Sequence, residues 1–137
     1  MGVTQRYMES DITTQQRGKL IVMLYDGAIK FLKVAKQKMA EGDFALKGVY
    51  IGKARDIIVE LNNSLDMEAG MQLAKDLRAL YNFMCRHLSE ANIERDPVKI
   101  DECLKILDEL RQAWEEVAQT HEAPSYVQSE APNDFSA

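Results

Sequence analysis

Leu20-Ile21-Val22-Met23-Leu24-Tyr25-Asp26-Gly27-Ala28 begins with an unbroken apolar run. A helix that buries one stripe spaces its apolar residues at i, i+3, i+4 and i+7, with polar residues between them. On a wheel of about 100° per residue, Leu20, Leu24, Ala28, Phe31 and Ala35 share one face, flanked by Ile21, Leu32 and Met39. Val22 and Ile29 fall well round the side, and Tyr25 sits on the shoulder between. A single stripe does not use up these residues. Either this helix is covered on two sides, or its second side is kept for something else.

The helical pattern runs on to about Ala40, where Glu41-Gly42-Asp43 ends it. Gly42 suits the left-handed residue after a helix, and Asp43 suits the next N-cap. Upstream, Thr13 or Thr14 can cap the start by accepting from the free N–H groups of the first turn. Residues 1–12 carry only the apolar dots Val3, Tyr7, Met8 and Ile12 without a period, which reads as a flexible N-terminal arm.

A second helix carries Leu46, Tyr50, Ala54, Ile57, Ile58, Leu61 and Leu65 on one face, with Ile51 at its edge and Val49 and Val59 off it. It ends near Asn62-Asn63, and Asp66-Met67-Glu68-Ala69-Gly70 reads as a short link. A third helix gathers Leu73, Leu77, Leu80, Tyr81, Met84, Leu88 and Ala91, with Phe83 pointing elsewhere. Asp96-Pro97 then gives a cap followed by proline at the first helical position. The fourth helix has the stripe Ile100, Cys103, Leu107, Leu110, Trp114 and Val117, opposite the acidic Asp101, Glu102, Asp108, Glu109, Glu115 and Glu116. From Thr120 the period is lost, and residues 120–137, with Pro124 and Pro132, read as a disordered tail. The expected architecture is an all-α, antiparallel up-down four-helix bundle over residues 13–119.

Composition narrows the function. With 137 residues the chain is one domain by size, and a net charge of −5 argues against a general nucleic-acid binder. No apolar run approaches the roughly 20 residues needed to span a bilayer, so no membrane insertion is expected. The polar start has no signal-peptide core, so a cytosolic protein is expected. Two cysteines, Cys85 and Cys103, make neither a disulfide framework nor a zinc site and read as small buried hydrophobes.

The chemistry of helical bundles is absent. Di-metal bundles use Glu-x-x-His pairs, but Met84 and Ala118 stand three residues before His87 and His121. No phosphate loop, nucleophile elbow or HExxH occurs, so neither enzyme activity nor a cofactor is expected. His87 near an apolar edge leaves one alternative, a phosphotransfer or signalling bundle. Lys19, Lys30, Lys33, Lys36 and Lys38 read as a solvated face. The surplus apolar residues Val22, Ile29, Val49, Val59 and Phe83 point to a partner groove instead, or to a dimer face.

Several segments together resemble the flagellar secretion chaperones that hold flagellin (FliS). They are Leu20 to Ile29, Gly52-Lys-Ala-Arg-Asp-Ile-Ile-Val-Glu-Leu61, Ser64-Leu-Asp66, Leu80-Tyr-Asn-Phe-Met84, Leu88 to Ile93 with Asp96, and Leu110-Arg-Gln-Ala-Trp114. The likeness runs from about Tyr7 to Ala118. One departure is that Gln16-Arg17 stand where the family often has Ser-Pro ahead of the apolar run, which puts the helix start in question. The resemblance implies a cytosolic chaperone that binds the C-terminal segment of flagellin as helical pieces, prevents its polymerisation and delivers it to the export apparatus. It also implies an N-terminal arm near the client. Tyr7, Ile21, Val22, Tyr25, Ile29, Ile51, Ile58, Leu65, Phe83 and Met84 are the groove candidates, on a chain expected to be a monomer without its client.

Overall fold

The computed structural model describes residues 3–119, with side chains described from Arg17 onward. Tyr7 and the tail 120–137 therefore lie outside the described side chains. Four helices follow one another: α1 Val3–Ala40, α2 Phe44–Asn63, α3 Met67–Glu94 and α4 Pro97–Gln119. Each packs on its sequence neighbour, and α1 closes the ring against α4, giving the expected up-down four-helix bundle.

The ends follow from local chemistry. Gly42 takes φ +79°, and the Asp43 carboxylate accepts from the Leu46 N–H at 3.1 Å to start α2. Asp96 accepts from the Val98 N–H at 2.9 Å ahead of Pro97. Two boundaries differ from expectation. α1 does not start at Thr13 but reaches back to Val3, since no proline or glycine interrupts residues 3–17 and Gln16-Arg17 provide no stop. The presumed link at Asp66–Gly70 is instead the first turn of α3. Asp66 accepts from the N–H groups of Glu68 and Ala69 at 3.2 and 3.0 Å, and the helix then kinks at Met71 (φ 50°, ψ −126°).

The buried seam advances in alternating steps of four and three on α1, α2 and α3, and on α4 it passes over half-buried Leu110 between Leu107 and Trp114. On α1 it is Ile21, Tyr25, Ala28, Leu32, Ala35 and Met39. On α2 it is Lys47, Ile51, Ala54, Ile58 and Leu61, continued by Leu65. On α3 it runs Gly70, Ala74, Leu77, Tyr81, Met84, Leu88 and Ala91, and on α4 Ile100, Cys103, Leu107 and Trp114. This is the a/d spacing of knobs-into-holes packing. Lys47 holds a seam position because its ammonium donates to the Asn92 carbonyl at 2.8 Å, capping the end of α3. Burial, helped by the nearby Arg95 charge, lowers its pKa.

The wheel of α1 was therefore centred too far to one side. Leu20 and Leu24 are only half-buried, whereas Ile21 and Tyr25 are interior. The reason is that α1 is covered on two sides. Toward α2, the rings of Phe31 and Tyr50 lie 6.0 Å apart, and a Cβ on Gly27 would come within 3.2 Å of the Ile57 methyl. Gly27 thus permits close helix approach. Toward α4, Lys36 bridges to Asp101 at 2.7 Å, Asp26 to Arg111, and Gly18 faces Ala118. Leu46 and Leu73, expected in the core stripes, are instead 40% and 50% exposed.

Candidate partner-binding surface

The residues proposed for a groove separate by burial. Ile21, Tyr25, Ile51, Ile58, Leu65 and Met84 are all at most 4% exposed and build the core. Their expected place on a groove is corrected to the interior of the bundle: at Ile21, Tyr25 and Ile51 the seam is offset from the wheel's centre, while Ile58, Leu65 and Met84 lie on the apolar stripes themselves. Tyr25, in addition, is tied to Tyr81 through a hydroxyl–hydroxyl bond. Val22, Ile29 and Phe83 keep a surface. Val22 and Ile29 are half-buried against the core on the α4 side of α1, and Phe83 is 37% exposed on α3.

Val22 opens onto a concavity among the described residues. It is a cavity of about 490 Å³ between the middle of α1 and the end of α4, lined by Lys19, Val22, Met23, Glu115, Ala118 and Gln119. Met23 is 65% exposed at its rim. Gly18 faces Ala118 at the cavity's end, where a Cβ would approach Ala118 at 3.4 Å, so small residues bring α1 and α4 together beneath it. Arg111, bonded to Asp26 of α1 and at 2.8 Å to Glu115, fixes the α1/α4 register at its other end. An apolar floor of Val22, Met23 and Ala118 between one lysine and one glutamate suits the apolar side of a helix far better than a small polar substrate. Met23 escaped the sequence reading because it belongs to neither apolar face of the wheel. Its presence within an unbroken apolar run was the only signal.

The remaining candidates have ordinary roles. His87 stacks on Phe83 with ring centres 4.7 Å apart, and its Nε2 lies 3.2 Å from a Glu102 oxygen, with Glu90 at 4.0 Å from Nδ1. Carboxylates beside both ring nitrogens would repel an incoming phosphoryl group, so the geometry does not favour phosphotransfer. Cys103 is buried and its thiol is pushed up to about 12 by desolvation, with the Glu102 charge adding. Cys85 is only half-buried. Its pKa is also raised by burial, against the opposing charge of Arg55. Lys19, Lys30, Lys33 and Lys36 are exposed, while Lys38 pairs with Glu41 at 3.4 Å. Among the described residues no group of His, Cys, Asp and Glu side chains is arranged to hold a metal ion. No described helix is long and apolar enough to cross a membrane.

Comparison with known proteins supplies what the geometry lacks. The family model described as flagellar protein FliS matches residues 2–121. The flagellar secretion chaperone FliS of Vibrio cholerae is 36% identical over 110 residues, covering 80% of this chain and 81% of its own. That of Bacillus subtilis is 32% identical over 114 residues, with 83% and 84% covered. The Salmonella typhimurium protein is 35% identical over 112 residues, covering 81% and 83%. These relatives are chaperones, not enzymes. The chain belongs to the FliS family of flagellar secretion chaperones.

Proposed function

We propose that this bundle acts in the cytosol, holds the C-terminal segment of flagellin as short helical pieces, and delivers it to the flagellar type III export apparatus. Relatives named as flagellar secretion chaperones support that reading, and the observation that carries it here is the α1/α4 cavity with Val22 and Met23 at its mouth. A disordered client loses conformational entropy on folding against its chaperone, so the interface must be largely apolar to offset that cost. The surface at Val22, Met23 and Ala118 meets this need, with Met23 exposed and Val22 half-buried. No nucleotide, metal or other cofactor enters the scheme.

The test is calorimetry and circular dichroism with a flagellin C-terminal peptide. A one-to-one complex with gain of helical signal is expected. Val22→Glu with Met23→Glu should weaken binding by about tenfold or more, since two charges would be buried in an apolar contact, while the helical signal of the free protein shows that the bundle stays folded. Ile29→Glu is a poorer probe, because Ile29 does not line the cavity. Absence of binding by the parent protein would overturn the reading. Unchanged binding by the double variant would remove the client from this cavity.

A further inference from the structure

Gln119, the last residue of α4, lines the α1/α4 cavity together with Ala118. The chain that follows therefore leaves from the cavity's own edge. It reads Thr120-His-Glu-Ala-Pro124-Ser-Tyr126-Val127, with an apolar pair a short way on. Proline at 124 disfavours helical geometry at Ala123, which favours a change of direction ahead of Tyr126. From Gln119 to Tyr126 an extended chain reaches about 24 Å. The α1 wall of the cavity, from Lys19 to Met23, is only about 6 Å long. Tyr126 and Val127 can thus come back over Val22 and Met23 with chain to spare.

The charges agree. Lys19 is exposed and forms no ion pair among the described residues. Glu115, the one carboxylate lining the cavity, is held by Arg111 at 2.8 Å. The unanswered charge at the cavity is therefore positive. Residues 120–137 contain Glu122, Glu130 and Asp134 and neither lysine nor arginine. Glu122 follows Gln119 closely enough to meet Lys19. The other end of the chain is not a rival for this place. α1 is one helix from Val3 onward, so residues 3–18 continue along its axis away from Val22 and Met23. A helix does not fold back on its own next turn.

We propose that the C-terminal segment of this chain covers the α1/α4 cavity until a client displaces it, with Tyr126 and Val127 on Val22 and Met23 and Glu122 at Lys19. A short tether holds its segment at an effective concentration on the order of 1 mM, so a contact with a dissociation constant of about 0.5 mM is made about two-thirds of the time. A weak contact is enough to shield Met23, which is otherwise 65% exposed. A client then binds with an affinity reduced by the fraction of molecules that are uncovered, here about threefold. The cover also filters its clients, since a segment with poorer apolar contacts does not displace it. This inference rests on the preceding reading for the seat of the client, and not for the seat of the tail.

The test places the photo-crosslinker p-benzoylphenylalanine at Tyr126 of the full chain. Irradiation without client should join it to the tryptic segment 20–30, which carries Val22 and Met23, in molecules of single-chain mass. Val22→Glu with Met23→Glu should lower that yield about threefold or more, and Lys19→Glu should lower it less. A flagellin C-terminal peptide in excess should remove the crosslink. In calorimetry, Tyr126→Ser with Val127→Ser should bind that peptide about threefold more tightly than the parent does. Circular dichroism confirms that each variant is folded. Absence of the crosslink to 20–30, its persistence in the Val22 and Met23 variant, or a client affinity that is measurable but unchanged in the tail variant would each overturn the proposal. A crosslink with no client binding by any form would sink the client assignment alone; client binding without the crosslink would sink only the cover.

Discussion

The hydroxyls of Tyr25 on α1 and Tyr81 on α3 bond to each other across the diagonal of the bundle, where both rings are almost fully buried. The two helices are not neighbours in the ring, so this polar contact joins elements that otherwise meet through apolar side chains. A buried hydroxyl that loses a partner keeps its desolvation cost, so the pair fixes the rotation of both helices. Tyr25→Phe and Tyr81→Phe should each cost about 1–2 kcal/mol. The double variant should cost clearly less than the sum, because the bond that each single variant breaks can be lost only once. Urea midpoints of the four proteins measure this, and strict additivity would show that the pair is energetically uncoupled.

The two thiols should differ in reactivity. With its pKa pushed up to about 12, Cys103 has on the order of one thiolate in ten thousand at pH 8, and it is fully buried besides. Cys85 is half-buried and should alkylate first, slowly, with Cys103 following only on unfolding. The pH dependence has a definite sign. The folded pKa lies above the ordinary value of 9.0, so the unfolded chain loses this proton first, and stability falls as pH rises from about 9 to about 12. Cys103→Ala should flatten that alkaline slope, although its smaller side chain lowers stability at neutral pH. Mass spectrometry after iodoacetamide at pH 8 checks the order of modification, and urea titrations at several pH values check the slope.

Three glycines make a graded test of packing. Nothing lies within 4 Å of a Cβ placed on Gly52, in the interior of α2. Gly52→Ala should therefore stabilise by about 0.5–1 kcal/mol, the usual gain in a helix interior. Gly27→Ala receives the same gain but presses on the Ile57 methyl at 3.2 Å, so its net effect should be smaller. Gly27→Leu should instead cost about 1–3 kcal/mol by forcing α1 and α2 apart. Gly42→Ala should destabilise, since its φ of +79° suits only glycine well. Thermal midpoints should rank Gly52→Ala highest and Gly27→Leu among the lowest.

What could be read before the structure was what is local. Gly42, Asp43 and Asp96-Pro97 specify their turns through neighbouring backbone groups, and they lie where the sequence puts them. The identity of the apolar helices is equally local. The rotation of each helix is not. Whether Ile21 or Leu20 faces inward depends on where α2 and α4 stand, and α1 alone carries apolar residues toward both. That is why Tyr25 and Ile51 were expected on a groove and belong to the core, while Leu46 and Leu73 took the opposite course. The kink at Met71 was hidden for another reason. A non-glycine residue with positive φ, directly after a buried Gly70, has no sequence signature.

Arg95 combines two opposed effects that a mutant cycle can separate. It ends α3 in the left-handed conformation, φ 55° and ψ 47°, which costs a side-chain-bearing residue about 1 kcal/mol. Its guanidinium carbon lies 3.7 Å from the centre of the Phe44 ring, a cation–π contact that returns about 0.5–1 kcal/mol at an exposed site. Arg95→Gly relieves the first and forfeits the second, so in the parent protein its net effect should be close to zero. In a Phe44→Ala background the ring is already gone, and Arg95→Gly should then stabilise by about 1 kcal/mol. The backbone N–H groups of Arg95 and Asp96 that bond to the Ala91 carbonyl survive the glycine, so loss of the cap does not complicate the comparison. Denaturant midpoints for the four proteins of the cycle give the answer. An Arg95→Gly effect that is the same in both backgrounds would mean that the ring contact contributes nothing and that backbone strain alone sets the preference at this turn.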